Sequence, residues 1–290
     1  MFTVKMKESS MLVNVKEFKR PSSVREALKL FSNNANSRYL AGGVILSRTL
    51  GKGTDMLIDL TTLPLNSIKV EDKAILIGAT LRLNDLYHNP DLDMFNTTKY
   101  LKKVLSVVAS EQIRNMATFG GAIAARHYWS DILPAFLVMD AEITIENLEG
   151  SSRLSLEEYL SSGNAERFKG SIITEIIIPR AVDEFKFHFE KFSRTKVDIA
   201  TLNLAVLYKL EGKNISDIRI SCGGLESVVR RYRKTERNLT SKLLTLNNLK
   251  RAFEVFSEEM NPIKDLRGGI DFKKRLIKAM FESVSNLQEI

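Results

Sequence analysis

The feature of the sequence that most constrains the fold is a pair of adjacent glycines, Gly120-Gly121, followed by small residues and an apolar run. The segment begins at Gln112 and reaches Asp131, and residues 132–137 after it are all apolar. Glycine has no Cβ, so paired glycines let the backbone approach another surface closely. Successive N–H groups in such a turn can form a concave anion site. We interpret the segment as a turn that contacts a bound anion.

A second glycine pair, Gly42-Gly43, follows Leu40-Ala41. Two separated glycine turns suggest a ligand with two phosphates that is held from both sides. Glycine pairs are also frequent in ordinary tight turns, so a purely structural role is an alternative for each pair taken alone.

Length and composition indicate a globular protein with a hydrophobic core. The chain has 290 residues, enough for one large domain or two ordinary ones. It is 44% hydrophobic and 27% charged. Runs of about 18 apolar residues are absent from the sequence, so no membrane span is expected. Met1 to Lys7 lack the apolar core of a signal peptide, which favours a cytoplasmic location.

The metal-ligating residues are too few and too scattered for a metal site. Cys222 is the single cysteine, which excludes a disulfide within the chain and a cysteine-bound zinc or iron–sulfur site. His88, His127 and His188 are far apart and lack metal-site spacing. Any redox chemistry must therefore come from an organic cofactor or from a partner.

Basic residues give the chain a net charge of +8, with the densest run at residues 230–234, Arg-Arg-Tyr-Arg-Lys. Such a run is most often a solvated surface. It is also compatible with a nucleic-acid patch or with a docking surface for an acidic partner. Acidic residues interleave with the basic ones elsewhere, and this pattern disfavours nucleic-acid binding.

Local patterns predict mixed helices and strands up to residue 180. Ser23 and Glu26 have capping-box spacing at a helix start. Asp131 to Met139 fits a helix capped by Ser130 or Asp131, and capping alone is one explanation of Asp131. The further predictions are a strand at 56–60, a hairpin of 68–70 with 74–78, helices at 82–87 and 100–108, and strands at 141–146 and 171–179.

The composition changes near residues 179–183, where we place a domain boundary. Residues 185–192 alternate aromatic and polar side chains, as in a half-buried strand. Two apolar segments, 202–210 and 215–222, flank a turn, and helices are predicted at Leu246 to Met260 and Asp271 to Leu287. Strands followed by helices indicate an α+β domain.

The two glycine segments resemble those of the FAD-binding subunit of the molybdenum hydroxylases, the family of xanthine dehydrogenase and aerobic carbon monoxide dehydrogenase. The family's first turn reads close to A-G-G-T-D-L, which Ala41-Gly42-Gly43 matches. Its second reads close to Q-I-R-N-x-[GA]-T-[IL]-G-G-N-[IL]-A, which 112–115, Thr118, Gly120-Gly121 and Ile123-Ala124 match in order and spacing. Later landmarks extend the resemblance over nearly the whole chain: Asp131, Leu133-Pro134-Ala135, Asp140-Ala141, 175–179, 190–200, Gly223-Gly224 and 262–268.

The resemblance implies an α+β fold without a Rossmann domain. Residues 1–180 would form a two-subdomain FAD-binding domain of the vanillyl-alcohol oxidase-like (PCMH) type, divided into about 1–60 and 61–180. Residues 181–290 would form a smaller α+β C-terminal domain of the carbon monoxide dehydrogenase flavoprotein type. The implied role is electron transfer in a dehydrogenase: a molybdenum-cofactor large subunit oxidises the substrate, and a [2Fe–2S] small subunit delivers electrons to FAD. NAD⁺ or another acceptor then receives them.

The resemblance also assigns residues to the cofactor, with no catalytic side chain and no metal ligand. Asp131 would accept hydrogen bonds from FAD hydroxyls, Ile173 would lie near the flavin ring, and Lys191 near its polar edge. An exposed strand lysine is the alternative for Lys191. Two groups would hold the pyrophosphate from opposite sides: Ala41, Gly42, Gly43, Val44, Ile45 and Leu46 on one, and Thr118, Gly120, Gly121 and Ala122 on the other.

Three departures from the family pattern lie beside the glycines. Val44-Ile45 replace a Thr and an Asp or Ser, and Ala122 replaces an Asn. Residues 126–129, Arg-His-Tyr-Trp, replace small residues; Arg126 could pair with a phosphate, or the bulk could narrow the site. Lost hydrogen bonds to a charged group would weaken FAD binding. A flavin-free scaffold that only docks partner subunits is therefore the alternative function.

Overall fold

The computed structural model describes residues 15–50, 53–161 and 164–285, with three β-sheets among them. The expectations for Met1 to Lys7 and for the end of a helix at Leu287 fall outside these residues. None of the helices in these ranges is long and apolar enough to cross a membrane.

A three-stranded parallel sheet with helices forms the first part of the chain. Its strand order is β1-β3-β2, and Ala27, Leu28 and Ile58 belong to its small core. The elements are β1 (Glu17–Lys19), α1 (Val24–Ser32), β2 (Ser37–Leu40), α2 (Leu46–Thr49) and β3 (Met56–Asp59). As predicted, Ser23 caps α1, because its hydroxyl accepts the N–H of Glu26.

A five-stranded antiparallel sheet of order β4-β5-β8-β6-β7 forms the second part. Its strands are β4 (Ile68–Val70), β5 (Ala74–Gly78), β6 (Glu142–Asn147), β7 (Gly150–Ser155) and β8 (Ile172–Pro179). Its helices are α3 (Leu83–Tyr87), α4 (Asn96–Leu105), α5 (Glu111–Arg114), α6 (Phe119–Ala124), α7 (Ile132–Val138), α8 (Leu156–Leu160) and α9 (Asn164–Arg167), with 3-10 turns at Pro90–Met94 and Arg180–Glu184. The predicted hairpin of β4 and β5 is confirmed.

A three-stranded antiparallel sheet of order β11-β10-β9 and three helices form the C-terminal part. The elements are β9 (Lys186–Phe192), β10 (Leu202–Glu211), β11 (Asn214–Gly223), α10 (Arg233–Leu239), α11 (Leu246–Glu259) and α12 (Ile270–Ser283). Both faces of β10 are buried. Leu204 and Val206 belong to the core under α11 and α12, whereas Ala205 and Leu207 join the core of the five-stranded sheet. One hydrophobic core therefore crosses the predicted domain boundary.

Part of the basic run at 230–234 lies where the C-terminal part meets the five-stranded sheet. The prediction of a solvated surface is wrong for Arg231, whereas Arg233 and Lys234 are exposed. Arg231 is buried, with its side chain only 3% exposed, and it bonds Asp140 and Glu236. Arg233 bonds Glu157 across the interface. Because these guanidinium groups already have carboxylate partners within the chain, they do not form a free patch for nucleic acid or an acidic protein.

Candidate functional site

The loop after β2 presents a row of backbone donors. Gly43 has a φ of +71°, a left-handed conformation that glycine adopts at little cost. The carbonyl of Gly43 accepts the N–H of Ser47 at 2.8 Å, so the chain turns directly into α2. Within the described residues, the five N–H groups from Gly42 to Leu46 donate no hydrogen bond to the protein. Successive donors of this kind are suited to an anion.

Gly42 brings this loop against the second glycine segment. A Cβ at Gly42 would lie 2.0 Å from the carbonyl oxygen of Met116 and 3.0 Å from Cα of Ala117. Glycine is therefore required by the close approach of two backbones. The structure brings the two predicted halves of the site together at this point.

The second glycine pair lies in a helix, not in the turn that its sequence predicted. Thr118 caps α6, with its Oγ1 accepting the N–H of Gly121 at 3.2 Å. A Cβ at Gly120 would lie 2.6 Å from Cβ of Ala79 and 2.8 Å from its carbonyl oxygen. Gly120 thus allows the helix to pack directly on the chain that leaves β5.

The backbone donors of α6 are already used within the chain. Phe119 N–H bonds the carbonyl of Leu81 at 3.1 Å, and Gly120 N–H bonds that of Ala79 at 2.8 Å. Ala122 N–H bonds the carbonyl of Thr118. The segment therefore shapes the site by close packing, while the donors for an anion come from residues 42–46.

Asp131 and Lys191 form a buried ion pair that links two parts of the chain. Lys191 Nζ lies 2.8 Å from Asp131 Oδ2, and the side chains are 4% and 9% exposed. The ammonium also donates to the carbonyl of Val107 at 2.7 Å. Asn203 Nδ2 donates to Asp131 Oδ1 at 2.8 Å, and its own Oδ1 accepts the N–H of Gly223. The alternative of an exposed Lys191 is wrong.

The pair retains capacity for a ligand. Burial raises the pKa of the Asp131 carboxyl, and the neighbouring Lys191 and Asn203 oppose that rise. Each carboxylate oxygen can accept two hydrogen bonds, and an ammonium has three donors, so neither group is saturated by the bonds described above. Asp131 is not needed as a cap, because the hydroxyl of Ser130 accepts the N–H groups of Ile132 and Leu133 at the start of α7.

The bulky segment after α6 turns towards other parts of the protein. The Arg126 guanidinium lies over the Tyr159 ring at 3.9 Å from its centroid. His127 stacks on Trp129 with ring centroids 4.2 Å apart, and Arg267 lies over the Trp129 ring. Burial and the nearby Arg267 lower the pKa of His127.

Ile173 lies in β8, opposite Ile145 of β6, and its side chain is buried. Asn203, which was not predicted as a site residue, is fully buried and donates a hydrogen bond to the Asp131 carboxylate. Its signal was a single amide in the apolar segment 202–210. Buried polar side chains in such a strand need a partner, so the residue could have been identified as a site residue.

Comparison with known proteins identifies the class to which this fold and site belong. Residues 13–181 match the FAD binding domain in molybdopterin dehydrogenase. Residues 187–286 match the CO dehydrogenase flavoprotein C-terminal domain. The chain belongs to the family of FAD-binding medium subunits of the molybdenum hydroxylases, and its cofactor is FAD.

Individual relatives agree over almost the full length. The chain is 29% identical to the glyceraldehyde dehydrogenase medium chain of Sulfolobus acidocaldarius, over 90% of this chain and 94% of that one. It is 26% identical to the carbon monoxide dehydrogenase medium chain of Hydrogenophaga pseudoflava, over 93% and 96%. A solved structure of carbon monoxide dehydrogenase from that organism matches with a TM-score of 0.86 and 25% identity, over 94% of this chain and 96% of that one.

The residues present fit FAD. The N–H groups of residues 42–46, which have no acceptor in the described parts of the chain, suit a pyrophosphate. The presence of Val44 and Ile45 does not remove them, because they belong to the backbone. The partly saturated Asp131 and Lys191 can still bond hydroxyls or ring atoms.

Proposed function

We propose that the chain is the electron-transfer subunit of a molybdenum hydroxylase-type dehydrogenase, with electrons arriving from a [2Fe–2S] subunit and leaving to NAD⁺ or another acceptor. Substrate oxidation would take place on a molybdenum-cofactor large subunit. The observation that carries the proposal is the row of N–H donors from Gly42 to Leu46, which have no acceptor among the described residues and which begin where Gly42 packs against Met116. A cytoplasmic location is part of the proposal.

The composition of the chain supports a need for partners. Its single cysteine, Cys222, is buried and cannot provide the four ligands of a [2Fe–2S] cluster. Two of its relatives are named as medium chains, and another is named as a subunit of the 6-hydroxypseudooxynicotine dehydrogenase complex of Paenarthrobacter nicotinovorans. A chain of this kind requires other subunits for the remaining redox centres.

Within the site, each group would have a distinct role. The N–H groups of residues 41–46 would bind the pyrophosphate, and Gly120, Gly121 and Ala122 under the Thr118 cap would pack beside it. Asp131 would accept hydrogen bonds from FAD hydroxyls, Ile173 would exclude water near the ring, and Lys191 would place a positive charge at its polar edge. Bound FAD supplies electron storage and transfer, and these residues supply binding, orientation and electrostatics.

The flavin-free scaffold is the rival function. The observation that favours it is the internal pairing of the α6 donors, since Phe119, Gly120 and Ala122 N–H groups already have acceptors in the chain. This leaves the loop at residues 42–46 as the main source of backbone donors for a phosphate.

Spectroscopy on the purified chain separates the two functions. We expect a flavin absorbance spectrum, release of FAD on denaturation, and reconstitution of the apo-protein by FAD far better than by FMN. Addition of ADP should compete, because it carries the same pyrophosphate. A colourless protein that FAD cannot reconstitute would leave the scaffold function. Co-expression with partner subunits should then give substrate-dependent bleaching of the flavin, and adding NAD⁺ or a quinone identifies the acceptor.

A further inference from the structure

The segment 126–130, which joins α6 to Asp131, is fastened to the C-terminal part of the protein at several successive residues. The carbonyl of Tyr128 accepts the N–H of Gly224 at 2.6 Å. The carbonyl of Ser130 accepts a hydrogen bond from Asn203 Nδ2 at 3.1 Å. Arg126 has a φ of +48°, a conformation that non-glycine residues adopt only when the surroundings hold it. The path of this segment therefore depends on contacts outside it.

The side chain of Tyr128 closes a ring of hydrogen bonds with three C-terminal residues. Its hydroxyl donates to Asp265 Oδ2 at 3.0 Å. Lys273, whose side chain is fully buried, lies 3.0 Å from the same oxygen. Lys273 Nζ also donates to the carbonyl of Gly224 at 2.7 Å, and Gly224 in turn bonds the Tyr128 carbonyl. The four residues form one closed network, which we call the Tyr128 hydrogen-bond network.

We propose that Tyr128 is a positioning residue for FAD: the Tyr128 hydrogen-bond network fixes the segment that orients Asp131. The inference rests on the proposed function, because it assigns Asp131 to the cofactor. Asp131 lies three residues after Tyr128 and is held by Lys191 and Asn203 at 2.8 Å each. A buried ion pair is stabilising only when its geometry is good. A shift of the backbone before Asp131 would displace the carboxylate from Lys191 and Asn203 and so weaken this arrangement.

The network also explains why aromatic bulk follows the glycine helix in this chain. Tyr128 and Trp129 point to C-terminal groups, Asp265 and Arg267 respectively. The segment that departs from the family pattern thus adds a support behind the site. Loss of the Tyr128 hydroxyl should weaken FAD binding while leaving the fold intact, because Asp265 keeps its bonds to Lys273 and Arg267.

The variant Tyr128→Phe tests the proposal, with Tyr232→Phe as its matched control. Tyr232 also donates its hydroxyl to a carboxylate at 3.0 Å, that of Glu226, but it lies in the C-terminal core. We expect Tyr128→Phe to raise the Kd for FAD by about tenfold, mainly through faster release, and to change the visible circular dichroism of bound flavin. The control should leave both unchanged. The urea denaturation midpoints of the two apo-proteins show whether either substitution lowers stability, independently of FAD binding.

A double-mutant cycle with Lys273→Met tests the closed network itself. If Tyr128 acts through Asp265 and Lys273, the two substitutions should be non-additive in FAD affinity. An unchanged Kd in Tyr128→Phe, an effect equal to that of Tyr232→Phe, or full additivity would overturn the proposal. Failure of the wild-type chain to bind FAD would instead refute the proposed function, and this result appears before any variant is made.

Discussion

The two glycine pairs look alike in sequence but have different roles in the structure. Gly42-Gly43 lies in a loop whose N–H groups have no acceptor within the described residues. Gly120-Gly121 lies in a capped helix, and both glycine N–H groups donate to acceptors within the chain. The first pair presents donors to a ligand, and the second permits a helix to pack on a sheet. A glycine pair therefore indicates that the backbone lies close to another group. Whether that group is a ligand or another part of the protein depends on which N–H groups are already hydrogen-bonded within the chain.

The largest expected effect is that of Gly42→Ala. The new Cβ would collide with the carbonyl of Met116, now 2.0 Å from its position, and would separate the two segments. We expect FAD affinity to fall by about a hundredfold. Isothermal titration of the apo-protein measures it. Gly53→Ala is the control, because a Cβ there would meet no atom of the described, non-adjacent residues within 4 Å. Equal affinities in the two variants would contradict the contact.

The substitution Gly120→Ala should act on stability more than on binding. Its Cβ would meet Ala79 at 2.6 Å and push α6 off the sheet, which lowers the free energy of unfolding by about 2 kcal/mol. We expect the Kd for FAD of the folded fraction to change less than about threefold. Urea denaturation and FAD titration of the same preparation test this. A loss of affinity as large as that of Gly42→Ala, without loss of stability, would erase the contrast between the pairs.

A smaller effect is expected from Gly43→Ala. Its Cβ would lie 3.3 Å from Cδ1 of Leu40, a side-chain atom that can shift slightly, so the main cost is backbone strain. An alanine at a φ of +71° costs about 1 kcal/mol, which corresponds to about a fivefold loss of FAD affinity if binding requires this conformation. Gly212 has a φ of +61° in the turn between β10 and β11, so Gly212→Ala carries similar strain away from the site. That control should lose stability and keep its Kd.

The smallest effect concerns His127, in the segment that follows the second pair. Burial lowers its pKa in the folded protein, so the unfolded chain binds the proton more readily. Stability is therefore lost as pH falls through the ordinary histidine value of 6.5 and levels off below the folded pKa. The ring is half exposed, so His127→Gln should remove only a few tenths of a kcal/mol of this acid destabilisation. Thermal melts of apo-protein measure it against His88→Gln, whose side chain is 59% exposed.

Much of the fold was readable from local patterns. The β4–β5 hairpin and the pair β10 and β11 appeared where alternation and turns predicted them. The prediction of a solvated surface for the basic run fails at Arg231, because its partner Asp140 is far away in sequence. The conformation of Gly120-Gly121 was misjudged for a similar reason: small residues fit both a turn and the first turn of a helix.

The sequence by itself determined the family, the cofactor and the presence of both glycine pairs, since these depend on residue types and their order. Only the tertiary structure decided which glycine pair has free donors, that Lys191 is buried against Asp131, and that Tyr128 joins Asp265. The physical reason is that a hydrogen bond is satisfied or left open by residues distant in the chain, and no local pattern records which distant residues those are.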